Sequence, residues 1–469
     1  MGSLADLSPA IALGALDGRY RGAVAPLVDH LSEPALNRAR VRVEIEWLIH
    51  LTDRQVVPGV RRLTDDEKNA LRAIVDDFGA AEIDEMAATE RVTQHDVKAV
   101  EYFLKKRLSA IAPSVEDAGL AELIHFCCTS EDINNLSYAL MVQGAVEDVW
   151  LPRATDLVET VATMASDLRD VPLLAHTHGQ PATPTTMGKE LAVLAWRLQR
   201  QLRRIEDAEF LGKLNGATGT YGAHLAAVPE ADWEQVSETF VEGLGLTWNP
   251  LTTQIESHDW QAELYADIAR FNRVLHNLCT DVWTYLSMGY FAQVRGQGTV
   301  GSSTMPHKVN PIRFENAEAN LEVSNALFDV LASTLVQSRL QRDLTDSSMQ
   351  RNIGVAFGHS LLAIDNAMRG LAGLDAVPTA MATDLDTNWE VLGEPIQSAM
   401  RALGAQGVPG MEEPYERLKE LTRGRRIGQA ELVEFVRGLG LPADVEARLA
   451  AMTPQTYVGL APVLVDHLG

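Results

Sequence analysis

Cysteine is scarce. The 469 residues contain three, Cys127, Cys128 and Cys279, an odd count with two adjacent, which builds no disulfide framework and lacks zinc-ligand spacing. A reducing cytoplasm is therefore the expected setting. Long apolar runs are missing too: none approaches the roughly 18 residues that cross a bilayer. The opening MGSLADLSPA has no basic start followed by an apolar core, and Asp6 stands where a myristoylation motif wants Ser or Thr. No targeting signal is read there. Positive charge is also in short supply, with 40 basic against 64 acidic residues and a net charge of -24. That field repels nucleic acid and anionic membranes, so neither is an expected partner, and an anionic small ligand would need a local basic island. Strand signals are few and short.

What is present is globular material, 46% hydrophobic and 22% charged. A chain this long exceeds one simple core and suggests two or three domains or an elongated bundle. From Leu251 to Met288 there is no Gly or Pro, and Leu264, Ile268, Phe271, Leu275, Leu278, Val282 and Tyr285 recur in alternating steps of four and three, the stripe of a long helix. From Ile312 to Ile353 Gly and Pro are again absent, with Leu321, Ser324, Leu327, Leu331 and Leu335 on one face, though the later part need not all be one helix. Asn310 and Pro311 suit the N-cap and first helical position. Arg153–Val171 and Lys189–Leu211 behave alike, the latter striped by Leu191, Leu194, Leu198, Leu202 and Ile205. The expected fold is all-α, with a central long-helix bundle whose stripes favour self-association. Composition shifts near 112–122 and 370–380 suggest boundaries, giving domains 1–118, 119–370 and 371–469.

Polar islands interrupt this pattern. In THGQPATPTT two prolines forbid a regular helix, so His178 sits on a structured loop, either as a proton-transfer imidazole or as a structural residue. His176 alternates with it, but without a further ligand at metal spacing. In TSEDINN, Thr129 and Asp132 have capping-box spacing, and the same helix N-terminus could hold a carboxylate or phosphate. In TQHDVKAVEYFL, Asp96 could orient His95 as carboxylates orient catalytic imidazoles, or could simply cap the helix. SRLQRDLTDSSMQRN sets Arg339, Arg342 and Arg351 beside Ser347 and Ser348, a solvated charged face or an anion site.

The richest segment is GQGTVGSSTMPHKVNP, Gly296 to Pro311. Gly296, Gly298 and Gly301 have the spacing of a dinucleotide fingerprint, but a helical pattern precedes them and Pro306 follows, so that reading fails its context test. A connector or a mobile active-site loop remains. GSSTMPHKVNP resembles the signature of the fumarase/aspartase superfamily through Gly301, Ser302, Met305, Lys308 and Asn310, and TSED and THGQPATP resemble two further regions of it in the same order. DGRY, QHDVKAVEYFL, TTQIESHD, QRDLTDSS and PYERLKELTRG resemble the bacterial adenylosuccinate lyases within that superfamily, so the likeness covers essentially the whole chain.

That resemblance implies three helical domains, a homotetramer with active sites shared between subunits, and no metal or organic cofactor. It implies release of fumarate from adenylosuccinate, leaving AMP, and from SAICAR, leaving AICAR. By resemblance Ser302 is the general base, His178 the general acid, and Lys308 and Asn310 hold the developing charge, with His95 assisting at the phosphate or the leaving group. Arg19, Tyr20, Gln94, His95, Asp96, Thr129, Ser130, Gln254, Ser303, Lys308, Asn310, Asn316, Arg342, Ser347 and Arg351 would bind substrate. Two rivals are a superfamily lyase acting on argininosuccinate, aspartate or malate, which does not need the arginine-serine island, and a noncatalytic scaffold, which does not need Ser302, His178, Lys308 and Asn310. AQVRGQGTV is the least family-like segment, and Gly404–Glu413 reads as a small surface insertion of no assigned function.

Overall fold

A computed structural model describes residues 12–113, 119–294, 309–422 and 427–469. The chain is mainly helical, as expected, with α1 (Arg21–Leu31), α2 (Glu33–Asp53), α3 (Asp65–Asp76), α4 (Ala80–Thr93), α5 (Asp96–Ile111), α6 (Ser130–Gly144), α7 (Leu151–Asp167), α8 (Met187–Glu206), α9 (Gly222–Ala227), α10 (Trp233–Gly243), α11 (Asp259–Ser287), α12 (Ile312–Leu335), α13 (Thr345–Gln350), α14 (Ile353–Leu371), α15 (Pro378–Asp386) and α16 (Gly393–Ala405), followed by shorter C-terminal helices. The described residues fall into two compact units. The first comprises the described residues within 1–155, 201–273 and 317–365, and the second those within 156–200, 274–316 and 366–469. Each of α7, α8, α11, α12 and α14 contributes residues to both.

The stripes read from the sequence are the buried faces. On α11, Leu264, Ile268, Phe271, Leu275, Leu278 and Val282 are buried, while Tyr285 at the stripe's end is only half-buried. Leu191, Leu194, Leu198, Leu202 and Ile205 bury one side of α8, whose Glu190 near the start and Arg203 and Arg204 at the end suit the helix dipole. On α12 the expected stripe needs a correction. Phe328 is buried where Leu327 is only half so, and the working face is Phe314, Ala317, Leu321, Ser324, Phe328, Leu331 and Leu335. That sequence of alternating threes and fours starts a turn earlier than the leucines alone suggest. The helix also begins at Ile312, with the Pro311 carbonyl accepting from the Phe314 N–H at 3.0 Å. The start lies one residue beyond the one expected from Asn310 and Pro311.

In the first unit the helices are locked by a buried polar chain. Trp150 Nε1 donates to Ser360 Oγ at 2.8 Å, Ser360 Oγ to Asn272 Oδ1 at 2.8 Å, Asn272 Nδ2 to Ser324 Oγ at 3.1 Å, and Ser324 Oγ to the Ala356 carbonyl at 2.8 Å. A chain with every member paired fixes helix register, because any slip strands buried donors.

In the second unit an antiparallel ribbon joins β1 (Pro172–Thr177) to β2 (Gln180–Thr186), and a second pairs Phe291–Gln293 with Leu374–Ala376. Its C-terminal helices close on Leu392, Ile396, Met400, Leu432 and Val436. Met411, inside the segment read as a surface insertion, is buried in this cluster, so the segment is anchored by its own side chain.

Candidate active site

The two prolines of THGQPATPTT do exclude helix, and the result is the ribbon. Thr177 pairs with Gln180 across a two-residue turn made of His178 and Gly179, at φ of +55° and +73°. Both turn residues of a type I′ hairpin need positive φ. Glycine meets that freely, and histidine does so at a cost typical of functional positions. The turn leaves His178 exposed at the tip, and no hydrogen bond reaches its ring among the described residues. His176 lies on β1, also exposed. Among the described residues no group of three or more His, Cys, Asp or Glu side chains is placed to hold a metal ion.

In the first unit five of the predicted binding residues are wired together. Gln254 Oε1 accepts from Arg342 Nη1 at 3.3 Å. Arg342 Nη2 lies 2.9 Å from Glu131 Oε1, which also accepts from Asn134 Nδ2 at 2.8 Å. Asn134 Oδ1 accepts from Arg40 Nε at 2.9 Å, Arg40 Nη2 donates to Asp96 Oδ2 at 2.8 Å, and the same oxygen lies 3.5 Å from Arg351 Nη2. Arg351 Nη1 donates to Ser347 Oγ at 3.0 Å, and its Nε stands 3.3 Å from Glu33. One polar wall thus contains Asp96, Gln254, Arg342, Ser347 and Arg351, drawn from α5, α13 and the segments flanking α11 and α13. Arg339 does not join it; its guanidinium is exposed beside Asp343.

The wall differs in two ways from the sequence reading. Its arginines are partly neutralised, by Glu131, Asp346, Asp96 and Glu33, so the basic island is an arginine–carboxylate network. Asp96 also does not orient His95. His95 Nδ1 instead caps α5, accepting from the Lys98 N–H at 3.2 Å, and lies 3.8 Å from Asp96. Asp96 turns inward to Arg40 and accepts from the Val97 N–H at 2.9 Å. Burial opposes its ionisation, yet Arg40, the Val97 N–H and Arg351 outweigh burial and hold the carboxyl below its ordinary value. For Asp346 burial prevails over Arg342 and pushes the carboxyl up.

Sequence reasoning missed Arg40, Glu131 and Asn134 as members. The available signal was in α2, where Leu36, Arg40, Val43 and Trp47 share one helical face and are all buried. An arginine on an apolar stripe needs buried acceptors, and here they are Asp96 and Asn134.

Thr129 and Ser130 open α6, where Thr129 N–H donates to Asp132 Oδ2 at 2.8 Å, the reciprocal half of the expected capping box. Gln94 takes a left-handed conformation, φ +54°, and its side chain closes on the Arg91 carbonyl. The guanidinium of Arg19 lies 5.8 Å from the Tyr20 ring, and that ring packs on Leu16, Val24 and Leu362. His178, Asn310 and Asn316 belong to the second unit. Ser302, Ser303 and Lys308 lie outside the described residues.

Comparison with known proteins agrees with this architecture. A family model described as "Lyase" matches residues 18–323, and one described as "Adenylosuccinate lyase C-terminal" matches 338–458. Among solved structures, a fumarate lyase from Mesorhizobium sp. BNC1 superposes with a TM-score of 0.74 at 19% identity, covering 94% of this chain and 97% of that one. The 3-carboxy-cis,cis-muconate lactonizing enzyme of Pseudomonas putida gives 0.68 at 20% over the same shares. At such identities the likeness establishes the fold. Fold and family model together define a lyase of the fumarase/aspartase superfamily.

Curated relatives narrow the class. The chain is 48% identical to the adenylosuccinate lyase of Escherichia coli (strain K12), over 99% of this chain and 100% of that one. It is 47% identical to the enzyme of that name from Vibrio cholerae, over 99% and 100%. The chain belongs to the adenylosuccinate lyase family.

Proposed function

We propose that this chain eliminates fumarate from adenylosuccinate to give AMP, and from SAICAR to give AICAR, as a step of purine nucleotide biosynthesis. The observation that carries this reading is the polar wall. A nucleotide phosphate asks for bidentate guanidinium groups beside hydroxyl donors, and Arg342, Arg351 and Ser347 supply that chemistry. Buried Arg342 Nε and Asp346 Oδ2 have no hydrogen-bond partner among the described residues, as expected of groups that meet a polar ligand. Arg19, Tyr20, Gln94, Thr129, Ser130, Gln254, Ser303 and Asn316 complete the proposed binding set.

In the reaction Ser302, ionised, takes the proton beside a succinyl carboxylate. The electron pair left behind forms the new double bond as the carbon–nitrogen bond breaks, and His178 gives its proton to the departing nitrogen. Lys308 and Asn310 stabilise the carboxylate while it carries the extra charge, the kind of interaction worth about 3–4 kcal/mol per donor. The His178 turn suits this role, since an exposed imidazole on a rigid ribbon can meet a substrate held by other elements. His95, with Nδ1 already accepting from the backbone, presents Nε2 to the substrate. The chain works in the cytoplasm as a homotetramer with shared sites; its self-association is supported by Val193, Trp196, Trp283, Val323 and Val330, large apolar residues exposed along α8, α11 and α12. No described helix is long and apolar enough to cross a membrane.

The test is turnover. Purified chain given adenylosuccinate or SAICAR should form fumarate and the free nucleotide one for one, and absence of fumarate from both would refute the assignment.

A further inference from the structure

The mechanism leaves a buried ion pair unused. Asp132 and Lys213 are each 0% exposed, with Lys213 Nζ 2.7 Å from Asp132 Oδ1. The carboxylate has other partners as well. Oδ1 accepts from the Asn215 N–H at 3.0 Å and the Gly216 N–H at 3.3 Å, and Oδ2 accepts from the Thr129 N–H at 2.8 Å. The neighbouring Asn135 adds a second clasp, accepting from the Lys213 N–H at 2.8 Å and donating to the Lys213 carbonyl at 3.0 Å. The loop so held reaches the TTQIE segment at its other end. Asn215 Nδ2 donates to Thr252 Oγ1 at 2.7 Å, and Gln254 Nε2 donates to the Ala217 carbonyl at 2.9 Å. Gly219, at φ +72°, approaches so closely that a Cβ would stand 2.2 Å from the Thr252 carbonyl oxygen.

An apolar pair of the same volume would fill this space without the desolvation cost of two buried charges. The carboxylate adds acceptors that collect donors from α6's first turn and from the 213–219 loop. We infer that Asp132, neutralised by Lys213, is a positioning residue: it holds Thr129 directly, and Gln254 through the loop, in the mutual geometry that the nucleotide requires. This rests on the proposed binding roles of Thr129 and Gln254.

The test is a double-mutant cycle read by AMP affinity and by steady-state kinetics on the full chain. Asp132→Asn alone strands a charged lysine in the core, so the neutral pair Asp132→Asn with Lys213→Met is used. AMP Kd and the KM for adenylosuccinate should rise about tenfold in that variant, with kcat within about threefold. Gln254→Ala should cost about tenfold in AMP affinity in the wild-type chain and less than about threefold in the paired variant, where Gln254 is already misplaced. Equal costs in both backgrounds, or unchanged AMP affinity in a folded paired variant, would overturn the inference and leave the ion pair with packing alone. If Gln254→Ala costs nothing in the wild-type chain, the binding role of Gln254 fails first and the inference with it. Should the paired variant not fold, Asp132→Glu, which keeps Lys213 paired but displaces the carboxylate from the Thr129 and Asn215 N–H groups, carries the same cycle.

Discussion

The ribbon tip that bears His178 and the polar wall that bears Arg342 and Arg351 are held in different ways. The tip is positioned by backbone: strand pairing on both sides and two positive φ values fix His178 while its ring stays exposed. The wall is positioned by side chains, each arginine anchored to a carboxylate, and Arg40 and Glu131 almost fully buried. A proton donor gains from an unencumbered ring, because each transfer changes its charge and its partners. A binding arginine gains from restraint, because its geometry must be ready before the anion arrives. Substitutions in the two regions should therefore fail differently, one in rate and the other in affinity and stability.

The largest effect is expected at the proposed proton-transfer groups. Ser302→Ala and His178→Ala should each leave assembly intact, by size-exclusion chromatography, and slow turnover roughly 100- to 10,000-fold or more. A near-normal rate would remove that residue from its role. At the wall, Arg351→Ala should raise KM roughly 10- to 100-fold with little change in kcat, the worth of lost charge-assisted hydrogen bonds. Arg342→Ala should add a drop of about 3–5 kcal/mol in unfolding free energy, because Glu131 is left buried without its cation. Equal thermal midpoints for the two arginine variants would contradict the difference in anchoring.

Gly219 tests whether backbone approach also shapes the wall. Gly219→Ala meets both a left-handed φ and the Thr252 carbonyl and should cost about 2–4 kcal/mol, measured by denaturant unfolding. A neutral outcome would mean that the 213–219 loop shifts freely. The smallest effect is electrostatic. Because the Asp96 carboxyl is held below its ordinary 3.8 in the folded chain, its ionised form stabilises the fold above pH 3.8, and that contribution is lost as pH falls through the folded value. Asp96→Asn should cost about 1 kcal/mol near neutrality, after allowance for its partial exposure, and the gap from wild type should close in acid. A gap that does not depend on pH would show that charge is not what Asp96 contributes.

The sequence made the long helices legible because one apolar side chain every three or four residues is a strong periodic signal, as on α8 and α11. Phe328 in place of Leu327 shows its limit: neighbouring apolar residues compete, and only packing decides. The ribbon was half legible. Prolines ruled out helix, but His-Gly lacks the Asn-Gly chemistry that announces a tight hairpin. For the site, composition located the arginine-serine segment, while Arg40, Glu131 and Asn134, which complete the wall, come from α2 and α6, far earlier in the chain, through contacts that no local pattern encodes. Of the two roles open to Asp96 in the sequence, orienting His95 is not the one seen, because the start of α5 sends the two side chains to different partners.

Arg342, Arg351 and Ser347 are proposed to read the phosphate of a nucleotide substrate. The most direct measurement is kcat/KM for fumarate release from adenylosuccinate, argininosuccinate, aspartate and malate, in the wild-type chain and in Arg351→Ala. Release from adenylosuccinate alone among the four, weakened through KM by Arg351→Ala, is the predicted result. Efficient release from one of the other three, or an adenylosuccinate KM untouched by Arg351→Ala, would contradict it.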